Sequence, residues 1–364
     1  MRISYLINSM EGGGAQTPLP KIIRSLEQAG ASVQLLALTR RNGLAIERLR
    51  AQGVDPIVRD GGEHDHLQAY NWIVKMVREW RSDVIWTSLT RSTLLGQLAG
   101  QRLGLPVISW QHNAFLKPWN ERLLRWRSRA ADLWIADSQQ VAVLTRDRLS
   151  IPEQKLITWP IFAADPDAPR AAAWQSGTPL RLGTLGRLHP NKGYDVLIEA
   201  VSILESGTMR PQFPYRIVIA GTGPDEAKLR EMVRAKGLQT IEFAGFADQP
   251  EQFLAGLHLY LQPSRREGFC IAAHEAMQAG LPVIVSRTGE MPYTVSSPDL
   301  GRVVEVADAP SLAGALAELL FAPEKLSAMG QAARARVLER FSQAKFDAIG
   351  ADIVRRIASA VSQR

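Results

Sequence analysis

Residues 257–276 read Leu257-His258-Leu259-Tyr260-Leu261-Gln262-Pro263-Ser264-Arg265-Arg266-Glu267-Gly268-Phe269-Cys270-Ile271-Ala272-Ala273-His274-Glu275-Ala276. The apolar run 257–261 has the pattern of a short strand, the polar stretch after it that of a loop, and the small apolar residues from about 271 that of a half-buried helix. The same unit recurs along the chain. In the second half, strands are expected at 180–186, 215–220, 240–243, 257–261 and 282–285. In the first half they are expected at 2–8, 32–38, 54–59, 83–87, 106–110 and 132–136, with helical patterns at 67–80 and 92–103. Strand–helix alternation implies parallel sheets covered on both faces. The expected fold class is α/β, with two doubly wound domains.

The two halves meet at Ala163-Ala164-Asp165-Pro166-Asp167-Ala168-Pro169 and Ser176-Gly177-Thr178-Pro179, dense in proline and small residues. Such composition suits a linker. The expected division is a first domain over 1–165, a linker over 166–178 and a second domain over 179–343. A last helix, patterned from Ala344 to Ala360 and carried to 364, is expected to pack back on the first domain. A length of 364 residues fits two domains of ordinary size. Ligands of open parallel sheets bind beyond the carboxyl ends of the strands, so two such domains place their site in the cleft between them.

The formal net charge is +7, and the chain holds one cysteine, Cys270. A single thiol excludes an internal disulfide framework and any zinc site built on several thiolates. Residues 1–175 carry 22 Lys and Arg against 16 Asp and Glu, so nearly all the excess lies in the first half. An anionic partner is expected to dock mainly there. The opening Met1-Arg2-Ile3-Ser4-Tyr5-Leu6-Ile7-Asn8 is too short an apolar run for a signal-peptide core, and no stretch approaches the roughly 20 apolar residues that span a bilayer. The expected location is the cytoplasm or, peripherally, the cytoplasmic face of the inner membrane. No nucleic-acid-binding motif is present.

Three loops carry chemistry. After the first strand, Gly12-Gly13-Gly14 lets backbone N–H groups approach a phosphate, but it matches neither the dinucleotide fingerprint nor a Walker A loop. It suits a surface turn equally well. Gly186-Arg187 ends the first strand of the second half, and Lys192 follows five residues later. Two cations at such a turn can bracket a diphosphate, or stand solvated. Glu267 lies just before the helix that starts near 271, and Glu275 lies inside it. Eight residues at 1.5 Å rise separate them by about 12 Å if fully helical, enough to hold two parts of one extended ligand. A helix start is itself an anion site. A carboxylate on that small apolar face needs a partner.

These residues resemble the retaining glycosyltransferases of family 4, which have the GT-B fold of two Rossmann-like domains facing across a cleft. Glu267 and Glu275 are similar to the family's E-x7-E pattern, and Gly186-Arg187 to Lys192-Gly193 is similar to its G-R-x-x-x-x-K-G segment. Gly221-Thr222-Gly223-Pro224, Gly280-Leu281-Pro282-Val283-Ile284, Gly13-Gly14 and Gln111-His112-Asn113 also match in order. The resemblance implies transfer of a hexosyl group from a UDP- or GDP-linked sugar to a glycan or lipid-linked glycan acceptor, in bacterial cell-surface polysaccharide or glycolipid synthesis. It implies that Arg187 and Lys192 neutralise the diphosphate, that Glu275 holds the ribose and that Glu267 holds the sugar hydroxyls. Gly13, Gly14 and the backbone of Gly268, Phe269, Cys270 and Ile271 would face the donor, and His112 would hydrogen-bond the sugar. The base would lie near Phe243, Gly245 and Phe246. No cofactor and no metal are implied; the Asp165-Pro166-Asp167 triplet lies in the linker and reads as chance.

Two positions depart from the family. Cys270 stands where glycine is usual, and His274 stands where an aliphatic residue is usual. His274 is expected to pack with a satisfied ring nitrogen. Two rival functions remain: another sugar-nucleotide enzyme on the same fold, and a non-catalytic glycosyltransferase-like subunit. Residues 115–130 add a separate pattern. At about 100° per residue, Phe115, Leu116, Trp119, Leu123 and Trp126 share one face of a helix, flanked by Arg122, Arg125, Arg127 and Arg129. This suits an interfacial helix on anionic lipid, or a helix packing its stripe on the sheet.

Overall fold

The computed structural model describes residues 1–113, 115–207, 211 and 213–362. The chain forms two compact units, one of Met1–Ala163 with the C-terminal segment from Gln343, the other of Ala164–Ser342.

The first unit holds strands β1 (Arg2–Ser9), β2 (Ser32–Thr39), β3 (Ile57–Val58), β4 (Val84–Ser88), β5 (Val107–Gln111), β6 (Leu133–Ala136) and β7 (Leu156–Thr158). They form one sheet in the order β3-β2-β1-β4-β5-β6-β7, with every pair parallel. The second unit holds β8 (Leu180–Leu185), β9 (Tyr215–Ala220), β10 (Ile241–Gly245), β11 (Leu259–Gln262), β12 (Val283–Ser286) and β13 (Gly301–Val304). Their order is β10-β9-β8-β11-β12-β13, again all parallel. Right-handed crossovers to either side of β1 and β8 place helices on both faces of each sheet. The strands are nearly continuous apolar runs, as burial on both faces requires: β4 and β5 are buried at every position.

Three expectations change. The strand expected at 54–59 is only Ile57–Val58, because Pro56 cannot donate to a ladder and Val54 N–H closes the preceding helix on Leu49. Strands β7 and β13 were not anticipated; β7 is a half-buried three-residue edge, and β13 opens on Gly301 and carries Arg302. The helix expected over 115–130 is Pro118–Trp126 followed by one turn at Ser128–Ala130. Proline at its start is tolerated because the first helical N–H needs no partner.

The segment expected as a linker, 166–178, is tied to the second unit. Arg334 donates to the carbonyls of Gln278 and Pro166, and Ala171 N–H donates to the Ala279 carbonyl at 2.8 Å. The last helix is Gln343–Ser362; residues 363 and 364 of the expected span lie outside the described residues. Its Phe346 is buried on Trp159 at 5.0 Å between ring centroids, and Trp159 Nε1–H donates to the Phe346 carbonyl at 3.1 Å. Trp159 in turn stacks on Trp110 at 5.0 Å, and Trp86 and Trp134 are also fully buried. Indoles bury large area at small entropic cost, and their N–H groups need partners. Phe346→Ala should cost about 3–5 kcal/mol and lower the urea midpoint of the first unit, read by tryptophan fluorescence. An unchanged midpoint would show that the last helix is not held by this contact.

Candidate functional site

In the second unit, β8 and β11 are hydrogen-bonded neighbours, so the loops leaving their carboxyl ends lie side by side. The first runs through Gly186 and Arg187 to a single turn at Pro190–Lys192; the second runs from Pro263 to Cys270. Gly193 follows Lys192 at φ +67°, where a Cβ would meet the Pro263 carbonyl oxygen at 2.0 Å. Only glycine allows this approach of the two loops. Arg265 N–H then donates to Asn191 O at 2.7 Å, and its guanidinium grips Asp195 in two bonds of 2.6 and 2.8 Å. The Arg265 bonds hold the Asp195 carboxyl below its usual range, against a smaller opposing effect of burial.

This clasp brings Lys192 and Glu267 together. Lys192 Nζ donates to Glu267 Oε1 at 2.7 Å. The same oxygen accepts Ser264 Oγ–H at 2.6 Å and Gln262 Nε2–H at 3.2 Å. Behind them Tyr260 O–H donates to Gln262 Oε1 at 2.8 Å. Glu267 is 11% exposed at the side chain, so one carboxylate oxygen is saturated in a nearly dry place. Burial pulls the Lys192 ammonium down, but Glu267 outweighs it and holds the group above the usual lysine range. Lys192 therefore stays charged. The loop is propped from β12 as well: Glu267 N–H donates to Thr288 Oγ1 at 3.3 Å. A Cβ on Gly289 would meet the Gly268 carbonyl oxygen at 2.7 Å.

The other expected residues fall around this pair. Arg187 is exposed and makes no hydrogen bond or ion pair among the described residues. Gly268 is half-buried; Phe269 and Cys270 are buried. Cys270 sits at φ +75°, in the left-handed region, and ends the loop as the cap of the helix Ile271–Gln278. No side-chain oxygen caps that helix, so its first turn keeps N–H groups for another acceptor. Burial, then the Glu267 charge, pushes the Cys270 thiol up, so it is protonated. Glu275 is half-buried in the helix. Phe243 packs on the core under the Arg230 guanidinium at 4.7 Å, Gly245 accepts from Gly221 N–H at 2.6 Å, and Phe246 is 55% exposed.

His274 is a packing residue. Its Nδ1–H donates to Cys270 O at 2.9 Å, its Nε2 meets Thr294 Oγ1 at 2.9 Å, and Phe269 stacks on it at 4.1 Å.

In the first unit, Gly13 opens the turn after β1 and its carbonyl accepts from Gln16 and Thr17 N–H; Gly14 is exposed. His112 follows β5. Its Nε2 lies 2.5 Å from Ser88 Oγ and its Nδ1 lies 3.0 Å from Asp137 Oδ1. Trp119 and Trp126 are 67% and 76% exposed, while Leu124 is buried. The apolar stripe is thus divided: Leu116 packs with Leu124, which lies off the stripe, on the core cluster around Trp134, while Trp119 and Trp126 face solvent. Leu123 is half-buried, and Arg122, Arg125 and Arg129 are exposed. Arg127 donates to Gln101 Oε1 at 3.3 and 3.2 Å. Sequence reasoning did not single out Gln262, Ser264, Thr288, Ser88 or Asp137; only Ser264, three residues before Glu267, had a local signal.

Among the described residues, no group of three His, Cys, Asp or Glu could hold a metal ion, and no helix is long and apolar enough to cross a membrane.

The model of glycosyl transferases group 1 matches residues 171–336, and that of glycosyltransferase family 4 matches residues 12–162. The chain belongs to the family 4, group 1 glycosyltransferases. It is 34% identical over 165 residues to a GDP-mannose-dependent monoacylated alpha-(1-6)-phosphatidylinositol monomannoside mannosyltransferase of Corynebacterium glutamicum, covering 43% of this chain and 42% of that one. It is 27% identical over 284 residues to a D-inositol 3-phosphate glycosyltransferase of Segniliparus rotundus, covering 70% and 62%. The chain thus spans less than two thirds of the length of either relative. A solved structure of Anabaena HepE in complex with UDP and glucose superposes over 100% of both chains with a TM-score of 0.83 at 19% identity. That likeness gives the fold, GT-B, with which the two parallel sheets agree.

Burial pulls His274 down to about 3, well below the free imidazole value of 6.5. The unfolded chain therefore takes up a proton below about pH 6.5 that the folded unit refuses until about pH 3. The sign is a stability present above pH 6.5 and lost on acidification, by about 1.4 kcal/mol per pH unit for one proton. His274→Leu should flatten that part of the acid limb in denaturant titrations between pH 6.5 and 4. Parallel curves for the two proteins would show that His274 does not resist protonation.

Proposed function

We propose that the chain moves a hexosyl group from a nucleoside diphosphate sugar to a glycan or lipid-linked glycan acceptor, with retention of anomeric configuration, in bacterial cell-surface polysaccharide or glycolipid synthesis. The observation that carries this is the Lys192–Glu267 pair at 2.7 Å, set on adjacent loops beside an uncapped helix start and the unpaired Arg187. Charge builds on the leaving diphosphate as the glycosidic bond breaks. Fixed cations and N–H groups aimed at that charge lower the barrier without reorganising. Arg187, Lys192 and the N–H groups at Cys270 and Ile271 serve that purpose, with no metal and no cofactor. Glu267 accepts sugar hydroxyls through Oε2 while Oε1 is held; Glu275 takes the ribose. Gly13 and Gly14 offer N–H groups, His112 a ring nitrogen, and Phe243, Gly245 and Phe246 border the base. Attack comes on the face from which the diphosphate leaves, and its oxygen takes the acceptor's proton. A relative named for GDP-mannose and a solved neighbour holding UDP leave both nucleotides as donors to test.

Arg187→Ala is the cleaner test, since Arg187 makes no hydrogen bond or ion pair among the described residues, whereas Lys192→Ala also releases Glu267. Each should lower kcat by about 10²-fold or more, with a smaller change in donor affinity. A wild-type kcat in either variant would remove the leaving-group role. A thermal-shift panel of UDP- and GDP-sugars selects the donor.

We further propose that the first unit docks on an anionic membrane surface at the cytoplasmic face. Support comes from Trp119 and Trp126, exposed seven residues apart on one helix face, among Arg122, Arg125 and Arg129, which have no ion-pair partner among the described residues. A hollow of about 530 Å³ beside Trp126 is lined by Gln101, Arg127 and Arg129. Such rings partition to the interface, and each cation adds about 1 kcal/mol near anionic lipid. Co-sedimentation with phosphatidylglycerol vesicles at low salt should fall about tenfold or more in a Trp119→Ala, Trp126→Ala double variant. No binding by the wild-type chain would remove the proposal.

A further inference from the structure

Strands β4, β5 and β6 are consecutive neighbours in the first sheet, and each carries a polar residue at its carboxyl end or one position past it. The register pairs Ser88 with Trp110 and Gln111 with Ala136. Ser88 therefore closes β4, while His112 and Asp137 stand one residue past β5 and β6. Their side chains form a line: Ser88 Oγ to His112 Nε2 at 2.5 Å, then His112 Nδ1 to Asp137 Oδ1 and Oδ2 at 3.0 and 3.1 Å. His112 is 7% and Asp137 4% exposed at the side chain, and Ser88 is fully buried. Trp110 Nε1–H donates to Asp137 Oδ1 at 2.5 Å, and the Trp110 ring stacks on His112 at 5.4 Å.

The chemistry of these atoms decides where the protons lie. A carboxylate accepts only, so the proton between His112 and Asp137 sits on Nδ1. Among the described residues no lysine or arginine bonds Asp137, so its buried charge is met by two N–H groups alone. Tyr5 on β1, also fully buried, is pushed up by that burial and stays neutral. With the proton on Nδ1, Nε2 is an acceptor, and Ser88 O–H fills it.

We propose that Asp137 is a positioning residue that fixes His112 as the Nδ1–H tautomer, and that Ser88 is the occupant of Nε2 which a sugar hydroxyl replaces. Both ring nitrogens are engaged, so His112 can take a substrate hydroxyl only by exchanging Ser88. The Trp110 ring and the Asp137 bond hold the imidazole plane fixed while that exchange occurs. The substrate half of this rests on the glycosyl-transfer reading; the tautomer does not.

The test joins a spectroscopic readout to a kinetic one on the full chain. In long-range ¹H–¹⁵N spectra near neutral pH, the His112 signals are those missing in His112→Gln. They should show a protonated Nδ1 and an unprotonated Nε2. Asp137→Asn, whose amide can donate to Nδ1, should move the proton to Nε2. With the donor chosen by the thermal-shift panel, the same variant should lose about ten- to a hundredfold in kcat, with donor KM within about threefold. Asp137→Glu should recover part of the rate. Ser88→Ala should keep the tautomer and lower donor KM. A wild-type spectrum with the proton on Nε2, or an Asp137→Asn variant with wild-type kcat, overturns the proposal. If the tautomer is as assigned but no nucleotide sugar is turned over, the Asp137–His112 assignment stands and the glycosyl-transfer reading falls.

Discussion

One carboxylate oxygen organises the second unit. Glu267 Oε1 accepts from Lys192, Ser264 and Gln262, which come from two loops and the end of a strand. Removing a carboxylate from water is costly unless it is paired and hydrogen-bonded. Three donors on one oxygen offset that cost and leave the second oxygen for a ligand. The donors converge only if the two loops touch, which the sheet order makes possible by setting β8 beside β11 and Gly193 makes close by lacking a Cβ. The Arg265–Asp195 clasp and the Thr288 and Gly289 contacts then brace the loop from either side. Supporting contacts of this kind keep a site rigid enough for preorganised electrostatics.

The same constraint shapes Cys270 and His274. Cys270 holds a left-handed conformation that a side chain tolerates only under surrounding contacts. His274 supplies two of them: its Nδ1–H ties down the Cys270 carbonyl, and its ring fills the space between Phe269 and Phe341. An aliphatic side chain would fill that space without the bond. The histidine thus answers the cysteine: one residue departs from the glycine that would suit the backbone, and the other fastens the backbone where it departs.

Much of this was legible in the sequence, in uneven ways. The strand–helix alternation and the central strands followed from apolar runs, because buried parallel strands must be apolar on both faces. Short edges did not: Leu156–Thr158 and Gly301–Val304 carry too few residues, and too mixed, to form a pattern. Lys192 and Glu267 were both singled out, yet nothing in the chain says that they meet. They lie 75 residues apart, and their contact depends on strand order. Ser88 and Asp137 gave still less, since a polar residue ending an apolar strand is ordinary until neighbouring strands align three of them. Trp119 and Trp126 belonged to a recognised stripe, but only the packing of Leu116 and Leu124 on the core leaves those two rings outward.

Both units thus bury a carboxylate at the carboxyl end of a parallel sheet, and they compensate it differently. Glu267 has a permanent cation, whose own charge is secured by the pairing. Among the described residues Asp137 has no such cation and draws on Trp110 and His112. A lysine in place of His112 would neutralise the carboxylate outright but could only donate. The histidine keeps an accepting nitrogen available, and the buried carboxylate determines which nitrogen that is.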